Sequence, residues 1–475
     1  MSVGLARVTI NAPHRRVDVA LPEHVPLAEL LPEVLRHAGE GLADDGEKHG
    51  GWVLRRTDGV ALATSQGLFP QGVRDGEVLH LVPARNDWPE LEYDDVVEAI
   101  AEGARRRGSA WTPDSTRSAT LAAAGVLLGL GLIAVLLAGP AWDASAIVGL
   151  GVAIVLALAG VTASRAYGDA KAGAALGAYA MPYAFAGGAV LVASNDRVGV
   201  LLPFPWLGDS ELLAGSVALL MVAVLGGVGV AAMQRLFTAG VVVGLLGALA
   251  AVTSMFTSAV GAAAALISVL VCGIGALPLL AIRFGKMPTP PVTLPTGIDS
   301  SSGFTGVGNS LDAARERPDR ATVFAAVTRT EELLAGMLLG HAVLAAGAFL
   351  VLGTAGTLSA RILMGVSSAA LLLRSRLFVT LRQRVPLVVG GLIGTFALGF
   401  DLVWHTSALL LTGVTVVGLA LAIITVVAGA TYSRRPPSPY LGRAADLFDT
   451  LVVVSVIPVA CAVVGLYSAV GSISL

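Results

Sequence analysis

The sequence carries little charge. Asp, Glu, Lys and Arg make up 13% of its 475 residues, against about 25% in an average soluble domain. Hydrophobic residues make up 55% and the mean hydropathy is +0.78. No globular core needs that much apolar surface, so most of it has to face lipid. An excess of one sign is lacking too, with a net charge of −2 and a pI of about 6.4. A nucleic-acid partner would leave a basic footprint, so none is expected. Cysteine is nearly absent: Cys272 and Cys461 each lie inside a long apolar run. Two such thiols cannot build a zinc site or a disulfide framework, and they read as small core residues.

Catalytic signatures are missing as well. The one Gly-Lys pair, Gly285-Lys286, has Leu280 where a phosphate loop needs its first glycine and Met287 where it needs Ser or Thr. Neither H-E-x-x-H nor G-x-S-x-G occurs. Of the histidines only His341 is deep in an apolar run. An ionisable residue inside lipid is a functional candidate by default, for instance in a proton relay. A relay needs a second group at similar depth, whereas Asp401, His405, Asp446 and Asp449 stand near the ends of their runs. His341 is therefore expected to be a hydrogen-bonded structural residue. No catalytic residue, metal or cofactor is expected, and the chain does not read as an enzyme. A secretory signal peptide would sit within the first ~30 residues, but the first run long enough to span begins near Ala119. The front of the chain is thus expected to stay in the cytoplasm.

What is there falls into three parts. Residues 3–84 alternate like a small α+β domain. Ala6–Ile10 and Arg16–Ala20 are strands with apolar residues at every second position, and Pro13 breaks the turn between them. Pro26 opens a helix in which Leu27, Leu30, Leu31, Val34 and Leu35 recur at three- and four-residue spacing, stopped by Gly39. Trp52–Arg56 is a third strand, and Val73–Val82 a tight turn running into a last one. Strand, strand, helix, strand, strand is the order of a β-grasp domain. Residues 85–118 read as a connector. Asp94, Asp95, Glu98 and Glu102 open its helix and Arg105, Arg106 and Arg107 close it, which complements the helix dipole. Val96, Val97 and Ile100 form a narrow apolar stripe. A solvated spacer whose arginines touch lipid headgroups and a helix that docks a partner both fit this pattern.

From 119 to 470 the composition changes abruptly. Eleven apolar runs lie near 119–138, 144–163, 172–193, 212–233, 236–254, 259–282, 332–353, 358–373, 385–402, 407–429 and 447–467. About 20 residues cross a hydrocarbon core of about 30 Å. The eighth run is the weakest, with Arg361 near its start. With the front domain inside, Lys and Arg of the loops split sixteen on the cytoplasmic side to two, Arg197 and Arg361, on the other. That asymmetry supports eleven spans, N-terminus in and C-terminus out. A cytoplasmic loop at about 283–331 opens with prolines and holds Arg315, Arg317 and Arg320 as contact candidates, and a helix from Arg320 to Leu334 runs into the seventh span. Loops of this length usually bind something or remain mobile. Glycine is plentiful, and the pairs Gly125/Gly129, Gly173/Gly177, Gly240/Gly244, Gly336/Gly340 and Gly390/Gly394 have the G-x-x-x-G spacing that lets helix backbones approach closely, within the chain or between subunits.

The layout of ubiquitin-like domain, connector and eleven membrane helices resembles the EccD component of the type VII (ESX) secretion machinery of mycobacteria and related actinobacteria. The local matches are the Ala6–Ile10 strand, the Val73–Leu81 closing segment, the connector Asp94–Ile100 and the Pro-rich loop after the sixth run. The resemblance implies a structural subunit without catalytic residues. It implies partners EccB, EccC and EccE, and a second copy pairing around a lipid-filled vestibule. It also implies that the front domain and long loop face the EccC ATPase, with WXG-type effector pairs as cargo. The competing reading is an autonomous permease with a regulatory front domain. Charged or broken helices at mid-membrane would favour it.

Overall fold

The computed structural model describes residues 4–467, apart from 14, 40, 43, 45, 47–49, 85–110, 197, 202, 231, 288–319, 406–407 and 433–437. Residues 1–112 and 113–475 form two compact units.

The front unit contains β1 (Leu5–Asn11), β2 (Arg16–Pro22), α1 (Leu27–Ala38), β3 (Trp52–Arg56) and β4 (Val78–Pro83). Its sheet has the order β2-β1-β4-β3. β1 is antiparallel to β2 and parallel to β4, and β4 is antiparallel to β3. Parallel pairing of the first and last strands needs a crossover, which α1 helps to supply. This is the β-grasp arrangement that the element order predicts. The alternation in sequence becomes a core in which Val8 and Ile10 of β1, Leu54 of β3 and Leu79 and Leu81 of β4 meet Leu27 and Val34 of α1. The turn into β4 is held at two points. Asp75 Oδ1 accepts the Arg7 backbone N–H at 2.6 Å. Gly76 takes φ +83°, a left-handed backbone that suits glycine.

Among the described residues of the second unit eleven helices are long and apolar enough to cross a membrane, the number read from the sequence. They are α2 (Pro113–Ala138), α3 (Ser145–Arg165), α4 (Ala170–Val192), α5 (Asp209–Gly229), α6 (Gln234–Phe256), α7 (Ala259–Gly273) with α8 (Leu277–Gly285), α9 (Arg320–Gly353), α10 (Leu358–Arg374), α11 (Leu381–His405), α12 (Ala408–Tyr432) and α13 (Pro439–Val464). The sixth span is thus two helices around a 3-10 turn at Ile274–Ala276. Pro278, the second residue of α8, has no N–H to continue the helical ladder. α13 begins at Pro439 rather than near Leu447. Ser438 Oγ accepts the Leu441 N–H at 3.4 Å, and proline fits a first helical turn.

Packing is mostly between sequence neighbours from α3 to α6, and α9 then joins the two halves by packing on both α6 and α11. α10 packs on α11 and α13, and α13 also touches α7. Phe237 is fully buried among α4, α5 and α6. A larger cluster gathers Ile267, Leu270, Leu338, Phe349, Leu363 and Val456. Two helices stand apart. Little of α2 is buried, and none of the apolar window of α12 is. Cys272 is exposed on the bundle surface and Cys461 is half-buried, which corrects the reading of both as core residues. Burial habits learned in water do not carry over to a bundle whose outer surface is itself apolar.

Candidate assembly surfaces

Successive antiparallel spans bring the starts of α2, α4, α6, α9, α11 and α13 to one end of the bundle, and most of the charge lies there. Arg117 pairs with Asp169, and Lys171 lies 3.5 Å from Asp114, tying the start of α2 to the α3–α4 turn. Arg165 donates to Gly229 O at 2.8 Å and Val228 O at 3.1 Å. It thereby occupies carbonyls at the C-terminus of α5 that the helix leaves without partners. Glu332 of α9 stands between Arg235 of α6 at 3.9 Å and Arg382 of α11 at 3.3 Å. Arg374 of α10 donates to Val271 O at 2.9 Å and faces Asp449 of α13 at 3.7 Å, while Arg376 meets Asp446 at 2.9 Å. Solvent-exposed ion pairs are worth only about 0.2–1 kcal/mol each. Their effect is to set which helix ends sit together more than to stabilise them.

At the opposite end Arg361 Nε lies 2.6 Å from Asp401 Oδ2. Asp401 is only 3% exposed, so its place near the end of an apolar run does not put it in water. It is drawn inward by the arginine that made the eighth run look weak, and each charge accounts for the other. His341 is buried, and its Nδ1 lies 2.9 Å from Met337 O one turn earlier in α9. Among the described residues no group of three or more His, Cys, Asp or Glu could hold a metal ion.

The glycines lie mainly at helix crossings inside the chain. A Cβ at Gly173 would be 2.7 Å from Gly160 O of α3, and one at Gly177 would be 2.8 Å from the Phe237 ring of α6. Gly240 and Gly244 face Ala223 and Leu220 of α5, and Gly336 and Gly340 face Thr238 and Val242 of α6. Gly390 and Gly394 face Ala342 and Phe349 of α9. Gly125 lies under the Tyr179 hydroxyl, whereas Gly129 has nothing within 4 Å. The sequence reading missed one close crossing of α3 with α4. There Gly149 and Gly187 oppose each other with a would-be Cβ to Cα distance of 2.8 Å, and neither belongs to one of the five G-x-x-x-G pairs singled out. It also missed three side chains that hold α2: Tyr179, Tyr183 and Trp206 donate to the carbonyls of Leu121, Leu128 and Leu136 at 3.0, 2.7 and 3.2 Å. An aromatic donor in an apolar run is the signal that could have found them.

Of the contact candidates, Arg320 lies in the first turn of α9 with its guanidinium 5.6 Å from the Phe324 ring centroid. Val96, Val97, Ile100, Arg105, Arg106, Arg107, Arg315 and Arg317 lie outside the described residues.

Residues 116–473 match the family model of the EccD-like transmembrane domain. The chain belongs to the EccD family. Its front domain matches, over residues 5–81, the model of protein YukD of the WXG100 protein secretion system. The ESX-4 secretion system protein eccD4 of Mycobacterium tuberculosis is 27% identical over 486 aligned residues, which cover 99% of this chain and 98% of that protein. Among solved structures, protomer 1 of the ESX-3 core complex aligns at 18% identity with a TM-score of 0.54, covering 98% of this chain and 100% of its own. A chain of the MycP5-free ESX-5 inner membrane complex aligns at 19% identity and TM-score 0.54, covering 90% of this chain and 99% of that one. At these identities the likeness is one of fold. This EccD-family chain is a multi-pass protein of the inner membrane.

Proposed function

We propose that the chain is a structural membrane subunit of a type VII secretion system, assembling with other components of that machinery and carrying no catalysis of its own. The match of the whole helix bundle to the EccD-like domain carries this reading. The YukD match of the front domain agrees with it. The finer assignment has the ubiquitin-like domain and the loop around Arg315 and Arg317 facing the ATPase component EccC. EccB, EccE and a second copy of the chain are the other neighbours, and WXG-type effectors are the exported cargo. Arg105 to Arg107 of the connector are candidates for contact with lipid headgroups or with a partner. The N-terminus is inside and the C-terminus outside, because that orientation puts the cation-rich loops on the cytoplasmic side.

Affinity purification in mild detergent tests the assignment. A large complex containing the ATPase should accompany the chain and should disperse when the chain is deleted. Recovery of a solitary protein that transports a solute by itself would decide for the permease reading. Orientation is tested separately by protease treatment of intact cells, which should spare the amino end.

A further inference from the structure

A groove of about 1280 Å³ runs up the side of the bundle between α5, α6, α8 and α9. Its walls are apolar, with Val241 and Leu245 of α6 facing Leu280 and Phe284 of α8 and Met337 of α9. It starts at the charged end beside Gln234 and Arg329 and closes at His341. Along α6 the lining runs from Gln234 to Leu246, which at about 1.5 Å per residue is about 18 Å. A hydrocarbon core is about 30 Å thick, so the groove is roughly one leaflet deep. A partner's membrane helix would need the full thickness. An acyl chain needs only its own leaflet.

At the level of the mouth, positive charge stands without an ion-pair partner among the described residues. Arg329 lines the groove, Arg283 and Lys286 lie outside its lining, all three are exposed, and none has an ion-pair partner among the described residues. They share one level of the bundle, because Gly285 abuts Thr330 where α8 meets α9. One carboxylate, Glu332, also lines the groove, but Arg235 and Arg382 already hold it. A cationic rim over a trough one leaflet deep is complementary to a lipid with an anionic head. A free phosphate would leave the trough unused.

The geometry points to a binding site, within a single copy of the chain, for one anionic phospholipid, with its phosphate at Arg329 and an acyl chain laid along α6 toward His341. This site depends on the membrane-spanning fold and not on the assembly role, so either can fail without the other.

Native mass spectrometry of the purified full chain in mild detergent tests it, with phosphatidylglycerol or phosphatidylcholine of equal chain length added. One phosphatidylglycerol should be retained per chain, and phosphatidylcholine roughly five-fold less well. Arg329→Gln, at an exposed residue without an ion pair among the described residues, should weaken phosphatidylglycerol retention roughly five-fold. Leu245→Trp should fill the trough and abolish retention, and Leu249→Trp, one turn along and outside it, should leave retention unchanged. In membranes, a phosphatidylglycerol with a photoreactive acyl chain should label α6. Equal retention of both lipids, adducts insensitive to Arg329→Gln and Leu245→Trp, displacement by inorganic phosphate, or no label on α6 would each overturn the proposal.

Discussion

Asp401 is a single acidic residue in a run of apolar ones, yet its surroundings decide what it does. Its carboxylate is buried and 2.6 Å from the Arg361 guanidinium. Removing one partner of a buried pair leaves an uncompensated charge, which costs about 3–5 kcal/mol, whereas replacing both by apolar residues is often neutral. Arg361→Ala should therefore lower the temperature at which the detergent-solubilised chain loses its monodisperse state, and Arg361→Met with Asp401→Leu should recover most of that loss. Equal damage from the single and double variants would show that the pair does more than compensate charge. The two charges were legible in sequence, but as a weak span and a helix end. Their pairing was not, because the residues are far apart in the chain and only the contact of α10 with α11 brings them together. Cys272 shows the same limit, since nothing in an apolar run marks which residues face lipid.

The helices owe their existence to length and composition and their arrangement to small residues and a few directed bonds. At the α3–α4 crossing a Cβ on Gly187 would lie 2.5 Å from Leu150 N and 2.9 Å from Gly149 C. Backbone cannot step aside as a side chain can, so Gly187→Ala should cost about 1–3 kcal/mol, the range for overpacking. Gly129→Ala, with open space around it, should be close to neutral in the same thermal assay. α2 gives a different case, because its burial is slight and the hydroxyls of Tyr179 and Tyr183 reach its carbonyls. Each such bond is worth about 0.5–1.5 kcal/mol. Exchanging both tyrosines for phenylalanine should speed amide hydrogen exchange in α2 several-fold and leave α9 unchanged. If α2 exchanged at the same rate in both proteins, its placement would have to come from elsewhere. The five G-x-x-x-G pairs could be read from spacing. The Gly149–Gly187 contact could not, because its partners are on different helices.

At the scale of the molecule, the chain is two units with separate cores. The front core needs nothing from the bundle: Leu79 is fully buried among residues of the same domain. Residues 1–84 expressed alone should show a cooperative melting transition. Leu79→Ala should cost about 2–5 kcal/mol, a large share of the stability of a domain this small. A fragment that melts without a transition would mean that the front domain depends on the rest of the chain. The bundle behaves differently. With α12 unburied, its outer surface is completed by lipid or by other chains, which is the condition expected of a subunit.

Periodicity and composition determined the β-grasp order, the eleven spans and the lopsided distribution of basic residues. Each is a property of consecutive residues, and lipid as solvent enforces a helix wherever a run is long enough. The tertiary structure decided which cations are paired, which glycines are crossings, which apolar faces stay open, and that a groove one leaflet deep ends at His341. These are contacts between segments distant in the chain. In a bilayer, where apolar faces are interchangeable, close packing and directed bonds choose among arrangements that hydrophobicity leaves equal.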